Sequence, residues 1–475
     1  MIEQLCRFGP HRYYFAVALD MIAFERSILS LGGLLLAALS TLSLADIPPV
    51  LAPLETKQNI PTMIKSDGTL KLTFGEERVI LPRGLQPSIL LTRSGTLVVQ
   101  AQVPDKPFPA KRISYPYAMS TEVSRDGGLS WTIIPLKPGE NGLNMEAGAI
   151  ELRDGTILAL DTYITPGEQP GTGMGQLYTS SDQWKTLTGP IDVNFDLPNA
   201  KFDGSSDDGG RPHLAWRGHR RILELPNGDL MTTVYGWLQG DATPATYAPT
   251  MMKSRSMLVR SSDRGRHWKL ISTIAVDPKV GTEGFGEPVL CRVNGGPNPG
   301  RLICLMRTGR NLYQAASDDE GRTWTPPKEL IIADRDVNRT DLWIDRLRTF
   351  KDFHGKLLDE NNLDEVRGSA VDPDLIELRS GLLVATFGVR IPQKLCWQHP
   401  EFPWNGAYVA VSSDHGQTWS NVAQITSGIL TTHYMAIEES PTNNRLYVAY
   451  DLGGWSRGMR RDVVARWLDI AAAKP

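Results

Sequence analysis

The chain has few cysteines, no surplus of positive charge and no long apolar run beyond its first 45 residues. Its 475 residues include four cysteines, which are too few for a framework of disulfides. Lys and Arg number 50 against 53 Asp and Glu, and the formal net charge is −3. This balance argues against a nucleic-acid partner, which selects a basic face, and gives no support for attraction to a membrane surface.

Common cofactor and metal motifs are also absent from the sequence. Neither G-x-x-x-x-G-K-[ST] nor G-x-S-x-G occurs, and His213 and His219 have no Cys or His partners at zinc spacing. The acidic stretch from Asp203 to Asp208 does not follow the alternating ligand pattern of a Ca²⁺ loop. We therefore expect no cofactor and no metal.

One apolar stretch, residues 27–42, has the length of a signal peptide and is followed by the small-x-small sequence SLA. Met21 is a second potential start, which would give the n-region MIAFER. We predict a targeting segment over residues 1–45, an exported protein, and a single domain over residues 46–475 with no integral membrane segment. A retained N-terminal anchor is the alternative.

After this segment the chain repeats an eight-residue turn motif, S-x-D-x-G-x-T-W. Four good copies begin at Ser124, Ser261, Ser317 and Ser412, and a degenerate copy at Ser180 is interpreted as having lost the Gly and Thr positions. In such a turn the Asp accepts hydrogen bonds from backbone N–H groups, the Gly takes a positive φ, and the Trp covers the apolar side of the hairpin.

Each turn motif is preceded by a two-stranded hairpin, and a sixth hairpin ends the chain. The hairpin turn residues are 60 to 81 positions apart; they are Gly95, Gly155, Gly228, Gly300, Gly381 and Asn444. This spacing leaves room for four short strands and one long loop, and it predicts an all-β fold, a six-bladed β-propeller. The last hairpin lacks an outer strand, and we predict that Thr69–Phe74 supplies it and closes the ring.

Two further segments carry local predictions. Cys291 and Cys304 lie on the two strands of the fourth hairpin, where buried free thiols are favoured over a disulfide. The charged loop Asp334–Glu365 is predicted to lie over one end of the ring as a partial lid, with Arg346 or Arg348 as contacts to a ligand. A solvated surface helix is the simpler interpretation of this loop.

Six polar residues occupy equivalent positions at the start of the innermost strands: Gln86, Glu146, His219, Glu287, Asp372 and His433. The second strands bring Tyr235, Arg307 and Arg390 to the same end. Because these positions converge on one mouth of the central channel, the pattern predicts a binding or active site there. We assign Gln86, Glu146, His219, Asp372, His433, Tyr235, Arg307 and Arg390 to substrate binding.

Residues 80–455 resemble the sialidase (neuraminidase) superfamily of six-bladed propellers with Asp-box, or BNR, repeats. The turn motif matches the Asp box, and three further positions match the family pattern: Glu287 before a proline, Arg307 at the end of the next strand, and Tyr434 at the sixth inner strand. The resemblance implies that Tyr434 is a nucleophile deprotonated by Glu287, and that Arg307 binds a substrate carboxylate.

Other positions depart from the family pattern. Gln86 stands where the family has the Arg of Arg-Ile-Pro, and the Arg expected before the fifth Asp box is absent from the strand AYVAV. Arg390 is the nearest alternative cation, and Asp105 is the nearest candidate for the acid/base residue. The resemblance therefore implies a fold and a chemistry directed at glycans, and leaves the sugar open.

Three functions fit these observations. The first is an exported carbohydrate-active enzyme with exo-sialidase-like hydrolysis of an acidic or unusual sugar through Tyr434 and Glu287. The second is a polysaccharide lyase in which a His or Tyr acts as base and Arg307 neutralises a uronate carboxylate. The third is a non-catalytic propeller that binds a glycan or a protein. The first is favoured, and the oligomeric state is left open.

Overall fold

The computed structural model describes residues 59–107, 117–135, 143–202, 206–208, 211–246, 251–349, 357–393, 396–397, 399–442, 445–455 and 460–473. The predicted targeting segment 1–45 lies outside these residues, as does the hairpin residue Asn444. Residues from Ile60 to Pro475 form one compact unit. In the parts of the chain just named, no helix has the length and apolar character needed to cross a membrane.

The described chain is almost entirely β-structure, as its short runs of Val, Ile and Leu between Gly- and Pro-rich turns predict. The first strands are β1 (Thr62–Lys65), β2 (Leu70–Phe74), β3 (Arg78–Pro82), β4 (Leu85–Leu91), β5 (Leu97–Pro107), β6 (Tyr117–Ser124) and β7 (Thr132–Ile134). The next strands are β8 (Ala149–Glu151), β9 (Ile157–Leu160), β10 (Tyr163–Pro166), β11 (Thr172–Ser180), β12 (Thr188–Asp196), β13 (Ala200–Lys201), β14 (Ser206–Asp208) and β15 (Arg211–His213).

The second half of the chain continues in the same way. Its strands are β16 (Trp216–Glu224), β17 (Leu230–Leu238), β18 (Arg255–Ser261), β19 (His267–Ala275), β20 (Gly286–Arg292), β21 (Leu302–Arg307), β22 (Leu312–Ser317) and β23 (Lys328–Leu330). The last are β24 (Ser369–Glu377), β25 (Leu383–Arg390), β26 (Gly406–Ser412), β27 (Asn421–Gln424), β28 (Met435–Glu439), β29 (Arg445–Gly453) and β30 (Arg461–Ala472). Two helices, α1 (Ile344–Leu347) and α2 (Leu363–Val366), and three 3₁₀ turns at Met145–Ala147, Ile332–Asp334 and Thr340–Leu342 interrupt them.

The strands pair in repeated four-stranded units. β4 to β7 form one sheet and β20 to β23 another, while β24 to β27 gain β1 at their outer edge. The units β8-β9-β11-β12 and β16 to β19 share one sheet, because β12 pairs in parallel with β19 and β10 pairs with β16. The last unit, β28 to β30, is completed by β2, and β3 pairs with β30 further along. β13 pairs with β17, and β14 and β15 form a two-stranded sheet of their own.

The six predicted hairpins are all present as antiparallel pairs: β4–β5, β8–β9, β16–β17, β20–β21, β24–β25 and β28–β29. The five predicted hairpin glycines have φ values between 83° and 97°, in the left-handed region that favours glycine. The first strands of these hairpins contact one another in a closed circuit, β4–β8–β16–β20–β24–β28 and back to β4.

The predicted outer strand at the end of the chain is confirmed. β2 pairs with β30 from Leu70 opposite Ala472 to Phe74 opposite Leu468. The sequence did not lead us to expect the pairing of β1 with β27 or of β3 with β30. Residues near the N-terminus of the unit are therefore built into its last two sheets.

The turn motif has the same hydrogen bonds in all five copies. In each, the Ser hydroxyl donates to the Asp carboxylate over 2.7–2.9 Å, and the N–H at the seventh position donates to the same carboxylate. Our interpretation that the copy at Ser180 has lost its Thr was wrong, because Thr186 donates to Asp182 over 2.7 Å. Trp184 takes the Gly position of this copy, with φ 63°.

The two cysteines of the fourth hairpin are free and buried, which confirms the favoured interpretation. Cys291 packs with Ile303 and Leu375, whereas Cys304 packs with Leu258 and Met306 in a different cluster. Successive strand residues face opposite sides of a sheet, so these two thiols lie on opposite faces of the β20–β21 hairpin and cannot pair.

The charged segment 334–365 is not one continuous helix. It contains α1 and the start of α2, and residues 350–356 lie outside the described part. Trp343 anchors it through edge-on contacts with Phe402 and Trp404, at ring-centroid distances of 6.0 and 5.6 Å. Arg348 is exposed and pairs with Asp345 and Glu360 of the same segment, as the surface interpretation predicts. The side chain of Arg346 is not described.

Candidate functional site

β-bulges shape the start of three innermost strands. Gln86, Glu287 and Asp372 each precede a proline and have φ values of 56°, 42° and 49°. The pairing register slips at each of these points, in β4–β5, β20–β21 and β24–β25. Proline cannot donate to the ladder, and a bulge leaves one residue of the strand unpaired, so the bulge accommodates the missing N–H. Bulges change the direction in which a side chain points, and here they act at the start of the inner strands.

The predicted pair Tyr434 and Glu287 is in direct contact. The Tyr434 hydroxyl donates to Glu287 Oε1. Arg307 Nη1 donates to the same oxygen over 2.6 Å and to the Tyr434 hydroxyl oxygen over 3.2 Å. All three side chains are buried. A phenol, a carboxylate and a guanidinium from β20, β21 and the start of β28 thus form one hydrogen-bonded group.

Arg307 is already neutralised by two carboxylates of the chain. Besides Glu287, it donates through Nη2 to Glu283 Oε1 over 3.0 Å. That oxygen also accepts from Gln393 Nε2 over 2.7 Å. In this structure Arg307 therefore organises the two glutamates rather than standing free for a substrate carboxylate.

The charges around this group keep Glu287 ionised and Tyr434 protonated. Burial acts to raise the pKa of Glu287, but the nearby Arg307 and His219 hold it below its usual range. Burial and then the Glu287 carboxylate raise the pKa of Tyr434 well above 10.0. The proton is thus on the phenol in the unliganded site, and Glu287 is placed to receive it.

Asp372 connects three inner strands. Its N–H donates to Glu287 Oε2 over 2.9 Å. Its carboxylate accepts from Arg220 Nη2 at 2.8 and 2.9 Å and from the N–H of Met435 at 2.7 Å. His219 Nε2 lies 3.3 Å from the same carboxylate. Asp372 has no exposed surface, so its contacts are all with the protein itself.

His219 and Tyr235 lie beside this centre. His219 Nδ1 is 3.2 Å from the carbonyl oxygen of Pro288, and its ring meets Tyr235 edge-on with centroids 6.5 Å apart. The Tyr235 hydroxyl accepts from Arg217 Nη1 over 3.3 Å, and burial raises the Tyr235 pKa. His219 is 1% exposed, so the structure places it behind the mouth of the site.

Glu146 is the more accessible carboxyl of the group. It lies on the 3₁₀ turn Met145–Ala147, its side chain is 21% exposed, and its Oε1 is 4.0 Å from His219 Nε2. Among the described residues no hydrogen bond reaches its carboxyl oxygens. Burial raises the pKa of Glu146 to about 7, although His219 acts to lower it. At neutral pH this carboxyl can therefore both give and take a proton.

Arg390 and His433 border the Tyr434 ring. The Arg390 guanidinium lies over the rings of Trp397 and Tyr434, 5.1 and 5.6 Å from their centroids, and Nη2 donates to the Thr432 carbonyl over 2.7 Å. Within the described ranges Arg390 has no carboxylate partner within ion-pair distance. Burial and then Arg390 hold the pKa of His433 well below 6.5, so His433 is neutral.

Two predicted residues lie apart from these contacts. The N–H of Gln86 donates to Asp451 over 2.8 Å, and its Oε1 accepts from Gln102 over 2.6 Å. The bond to Asp451 ties the first hairpin to the last, and the bond from Gln102 lies within the first hairpin. Asp105 belongs to β5, but its side chain is not described, so its role as acid/base residue stays a prediction.

Sequence reasoning missed Arg220 and Glu283. Strict alternation along β16 turns Arg220 to the face opposite His219, but the register slips between His219 and Leu223. Both side chains consequently reach Asp372. Glu283 precedes β20 in a loop, where no periodic pattern marks it.

One set of residues presents metal-ligand atoms. Oxygen or nitrogen atoms of Glu146, His219 and Asp372 lie within 4.8 Å of one another. A carboxylate–imidazole–carboxylate set is one that a divalent cation accepts. Arg220 already provides a positive charge to both oxygens of Asp372, so the set is balanced without a metal. The expectation of no metal stays a prediction.

Comparison with known proteins finds similarity in structure only. No protein-family model and no curated protein matches the sequence. A Dyadobacter fermentans protein of unknown function has a TM-score of 0.54 at 16% identity, covering 84% of this chain and 99% of that chain. A GH93 α-L-arabinofuranosidase of Fusarium graminearum, solved with arabinobiose, has a TM-score of 0.51 at 13% identity, covering 83% and 97%. A Hadza microbial sialidase, Hz136, has a TM-score of 0.48 at 14% identity, covering 86% and 68%.

Identities this low show a common fold and leave the activity open. With the closed circuit of inner strands, the comparisons establish an all-β propeller fold, in which the described residues form almost no helix; glycosidases occur on this fold.

Proposed function

We propose that this protein is a glycoside hydrolase built on a six-bladed, sialidase-type β-propeller whose turn motifs are Asp boxes. The six inner strands that contact in a closed circuit and the five equivalent turns support the fold assignment. The observation that carries the activity is the hydrogen-bonded group of Tyr434, Glu287 and Arg307. The likeness in fold to an arabinofuranosidase is consistent with this reaction class.

In the proposed first step Tyr434 attacks the anomeric carbon. Its proton passes to Glu287 Oε1 as the bond between the phenol oxygen and the sugar forms and the bond to the leaving group breaks. Arg307 touches both the phenol and the carboxylate, so it can stabilise the charge that moves between them. Water then attacks the same carbon and gives its proton to the carboxylate that served as the acid, the bond between sugar and phenol oxygen breaks, and Tyr434 recovers its proton from Glu287.

Glu146 is the proposed acid that protonates the leaving oxygen. It is partly exposed, and its pKa of about 7 lets it carry a proton at neutral pH. Two carboxyl groups with pKa values displaced in opposite directions, Glu146 and Glu287, form the usual arrangement of an acid and its partner in glycosidases. Asp105 stays the second candidate for this role.

A two-carboxylate mechanism is the alternative within the same reaction class. Glu287 is ionised in the unliganded site and is itself a potential nucleophile. A slow fluorinated glycoside distinguishes the two mechanisms by mass spectrometry of peptides. A sugar adduct on Tyr434 supports the first mechanism, and an adduct on Glu287 supports the second.

The lyase hypothesis gains less support from the geometry. His219 and His433 are 1% and 2% exposed, and neither is placed to reach a substrate directly.

Export to the cell exterior or periplasm and a glycan as substrate also belong to this proposal. The apolar segment 27–42 supports the export assignment.

The experiment is turnover of a panel of chromogenic glycosides, including arabinofuranosides, uronides and sialosides. We expect wild type to cleave at least one, and Tyr434→Phe to lower kcat by at least about 10³-fold. Tyr450→Phe is a matched control, because Tyr450 is a buried tyrosine that also contacts a carboxylate and an arginine, Glu77 and Arg466. Binding of a glycan without turnover by wild type would favour a non-catalytic propeller instead.

A further inference from the structure

Two buried ion pairs of the same design lie one above the other on β24. Arg220 binds Asp372 at 2.8 Å, and the N–H of Met435 donates to Asp372 over 2.7 Å. Two residues on, Arg221 binds Asp374 at 2.8 Å, and the N–H of Ile437 donates to Asp374 over 3.0 Å. Each pair links β16, β24 and β28 in the same way.

Only the Arg220–Asp372 pair, called the upper pair, touches the reacting groups; the Arg221–Asp374 pair is the lower pair. The N–H of Asp372 donates to Glu287, the carboxylate of Asp372 lies against His219, and its partner Met435 directly follows Tyr434. The lower pair connects instead to Glu438 and to the Ile437 carbonyl through Arg221, and Asp374 also lies 3.7 Å from Arg220 Nη1. The lower pair therefore reproduces the structural duties of the upper one without its contacts to Glu287.

We propose that Asp372, clamped by Arg220, is a positioning residue that sets Glu287 and Tyr434 in contact, and that it does not bind substrate. This inference rests on the proposed hydrolase function. The N–H of Asp372 binds the second carboxylate oxygen of Glu287. The carboxylate of Asp372 binds the N–H of Met435, which directly follows Tyr434. The Asp372 carboxylate is fully buried, which leaves no surface for a sugar. The fork of Arg220 fixes that carboxylate because it binds both oxygens.

The carboxylate also acts on Tyr434 through its charge. The charged groups that face the Tyr434 hydroxyl are Glu287 and Asp372, which disfavour the phenolate, and Arg307 and Arg390, which favour it. An Asp372→Asn change removes one negative charge and leaves Arg220 with the more distant Asp374, 3.7 Å away, as its carboxylate partner. Both effects favour the phenolate, so Tyr434 should ionise at lower pH in this variant. Asp374→Asn leaves the hydrogen bond from the Asp372 N–H to Glu287 and both bonds from Arg220 to Asp372 in place.

The experiment compares Asp372→Asn with Asp374→Asn in the full chain. Both should lower the melting temperature, since each breaks a buried ion pair. On the best wild-type substrate, Asp372→Asn should lower kcat at least about 100-fold with little change in KM, as expected for misplaced reacting groups. Asp374→Asn should leave kcat within about threefold, because its loss is confined to stability. Equal loss of kcat in the two variants would overturn the proposal.

A second readout needs no substrate. The absorbance of the Tyr434 phenolate is obtained as the difference between each protein and its Tyr434→Phe counterpart during a pH titration. We expect the phenolate at lower pH in Asp372→Asn than in wild type, and no displacement in Asp374→Asn. If wild type hydrolyses nothing on the panel, the hydrolase function fails, while this titration still tests the position of Asp372. The same phenolate titration in wild type and Asp372→Asn would overturn the proposal for Asp372.

Arg220→Lys and Arg221→Lys repeat the comparison if an Asn variant does not fold. Lysine keeps the charge but loses the two-pronged contact with the carboxylate. Loss of kcat with Arg220→Lys alone would support the proposal, and equal effects of the two changes would contradict it.

Discussion

Three glutamates at the start or along the inner strands show how the surroundings of one side-chain type decide its protonation. Glu287 has Arg307 within 2.6 Å, which outweighs burial and holds its pKa low. Glu146 and Glu438 are also largely buried, but burial dominates there and raises the pKa of each to about 7. The charges that surround each carboxylate, rather than burial alone, set its protonation. Arg307 and His219 act on Glu287, whereas Arg221, 3.2 Å from Glu438, is shared with Asp374, whose charge raises the pKa of Glu438.

Glu146→Gln tests the proposed role of this single residue as general acid. A general acid must be protonated, so wild-type kcat/KM should fall as pH rises through about 7. Glutamine has no proton to give, so the variant should lose this descending limb and lower kcat by about 10²- to 10⁴-fold. The pH–rate profile measures both effects. A glycoside with a good leaving group should recover most of the lost rate, and a profile that keeps its descending limb would exclude Glu146 as the acid.

Glu438→Gln tests the stability consequence of a raised pKa. The Glu438 carboxyl is ordinarily half-protonated at 4.5 but at about 7 in the fold, so the folded state binds its proton more tightly. The resulting stabilisation is present below pH 4.5 and is lost as pH rises through about 7. At about 1.4 kcal/mol per pH unit, the rise from 4.5 to about 7 corresponds to a loss of at most about 3.5 kcal/mol.

Urea unfolding of wild type and Glu438→Gln at pH 5 and pH 8 measures this change. The variant should gain stability relative to wild type at the higher pH. A difference between the two proteins that does not vary with pH would contradict the raised pKa.

At the scale of elements, neighbouring hairpins are joined by a repeated contact. The N–H of Arg93, Arg153 and Arg379 each donates to a glutamate of the next hairpin, and each guanidinium donates to carbonyl oxygens of the next turn. The turns therefore hold one another in place at the end of the ring where the hairpins reverse.

Tight turns also require glycine, although for different reasons at different positions. Gly321→Ala and Gly228→Ala separate two of these reasons. Both glycines are left-handed, with φ of 81° and 91°, so alanine at either costs about 1–2 kcal/mol. A Cβ at Gly228 meets nothing within 4 Å, whereas at Gly321 it lies 2.1 Å from Leu258 Cδ2 in the core. Gly321→Ala should therefore lose at least about 1 kcal/mol more, because the packed leucine must move. Denaturant unfolding compares the two, and equal losses would contradict the clash.

At the scale of the whole molecule, the start of the described unit completes its last sheets. β2 and β3 pair with β30, and β1 pairs with β27. Without these strands β30 and β27 would be bare edges, and bare edges invite pairing with other chains. Residues as distant in the sequence as Leu70 and Ala472 are thus paired in the folded unit.

Deletion of residues 1–75 tests this closure against deletion of residues 1–59. The longer deletion removes β1 and β2, and we expect it to cost at least about 3 kcal/mol, or roughly 3 °C in melting temperature for a unit of this size. The shorter deletion leaves every described strand in place and serves as the control. Thermal unfolding and limited proteolysis near β30 measure the effect. An equal melting temperature for the two proteins would show that the strands do not hold the ring.

The sequence by itself determined the repeat, the six hairpins and the outer strand at Thr69–Phe74, because turn chemistry and strand alternation are local. The glycines that it marked, such as Gly95 and Gly381, all have left-handed φ. It also placed Glu287, Arg307 and Tyr434 near the same end of the ring, on different strands, and the structure brings these three into contact.

Only the tertiary structure decided how these groups are charged and held. The bulge in β16 turns Arg220 towards Asp372, and Glu283 reaches Arg307 from a loop. Neither contact follows from local periodicity, because a register slip of one residue reverses the face on which a side chain lies. The protonation of Glu146, Glu287 and Tyr434 depends on distances between different hairpins, and those distances exist only once the ring has closed.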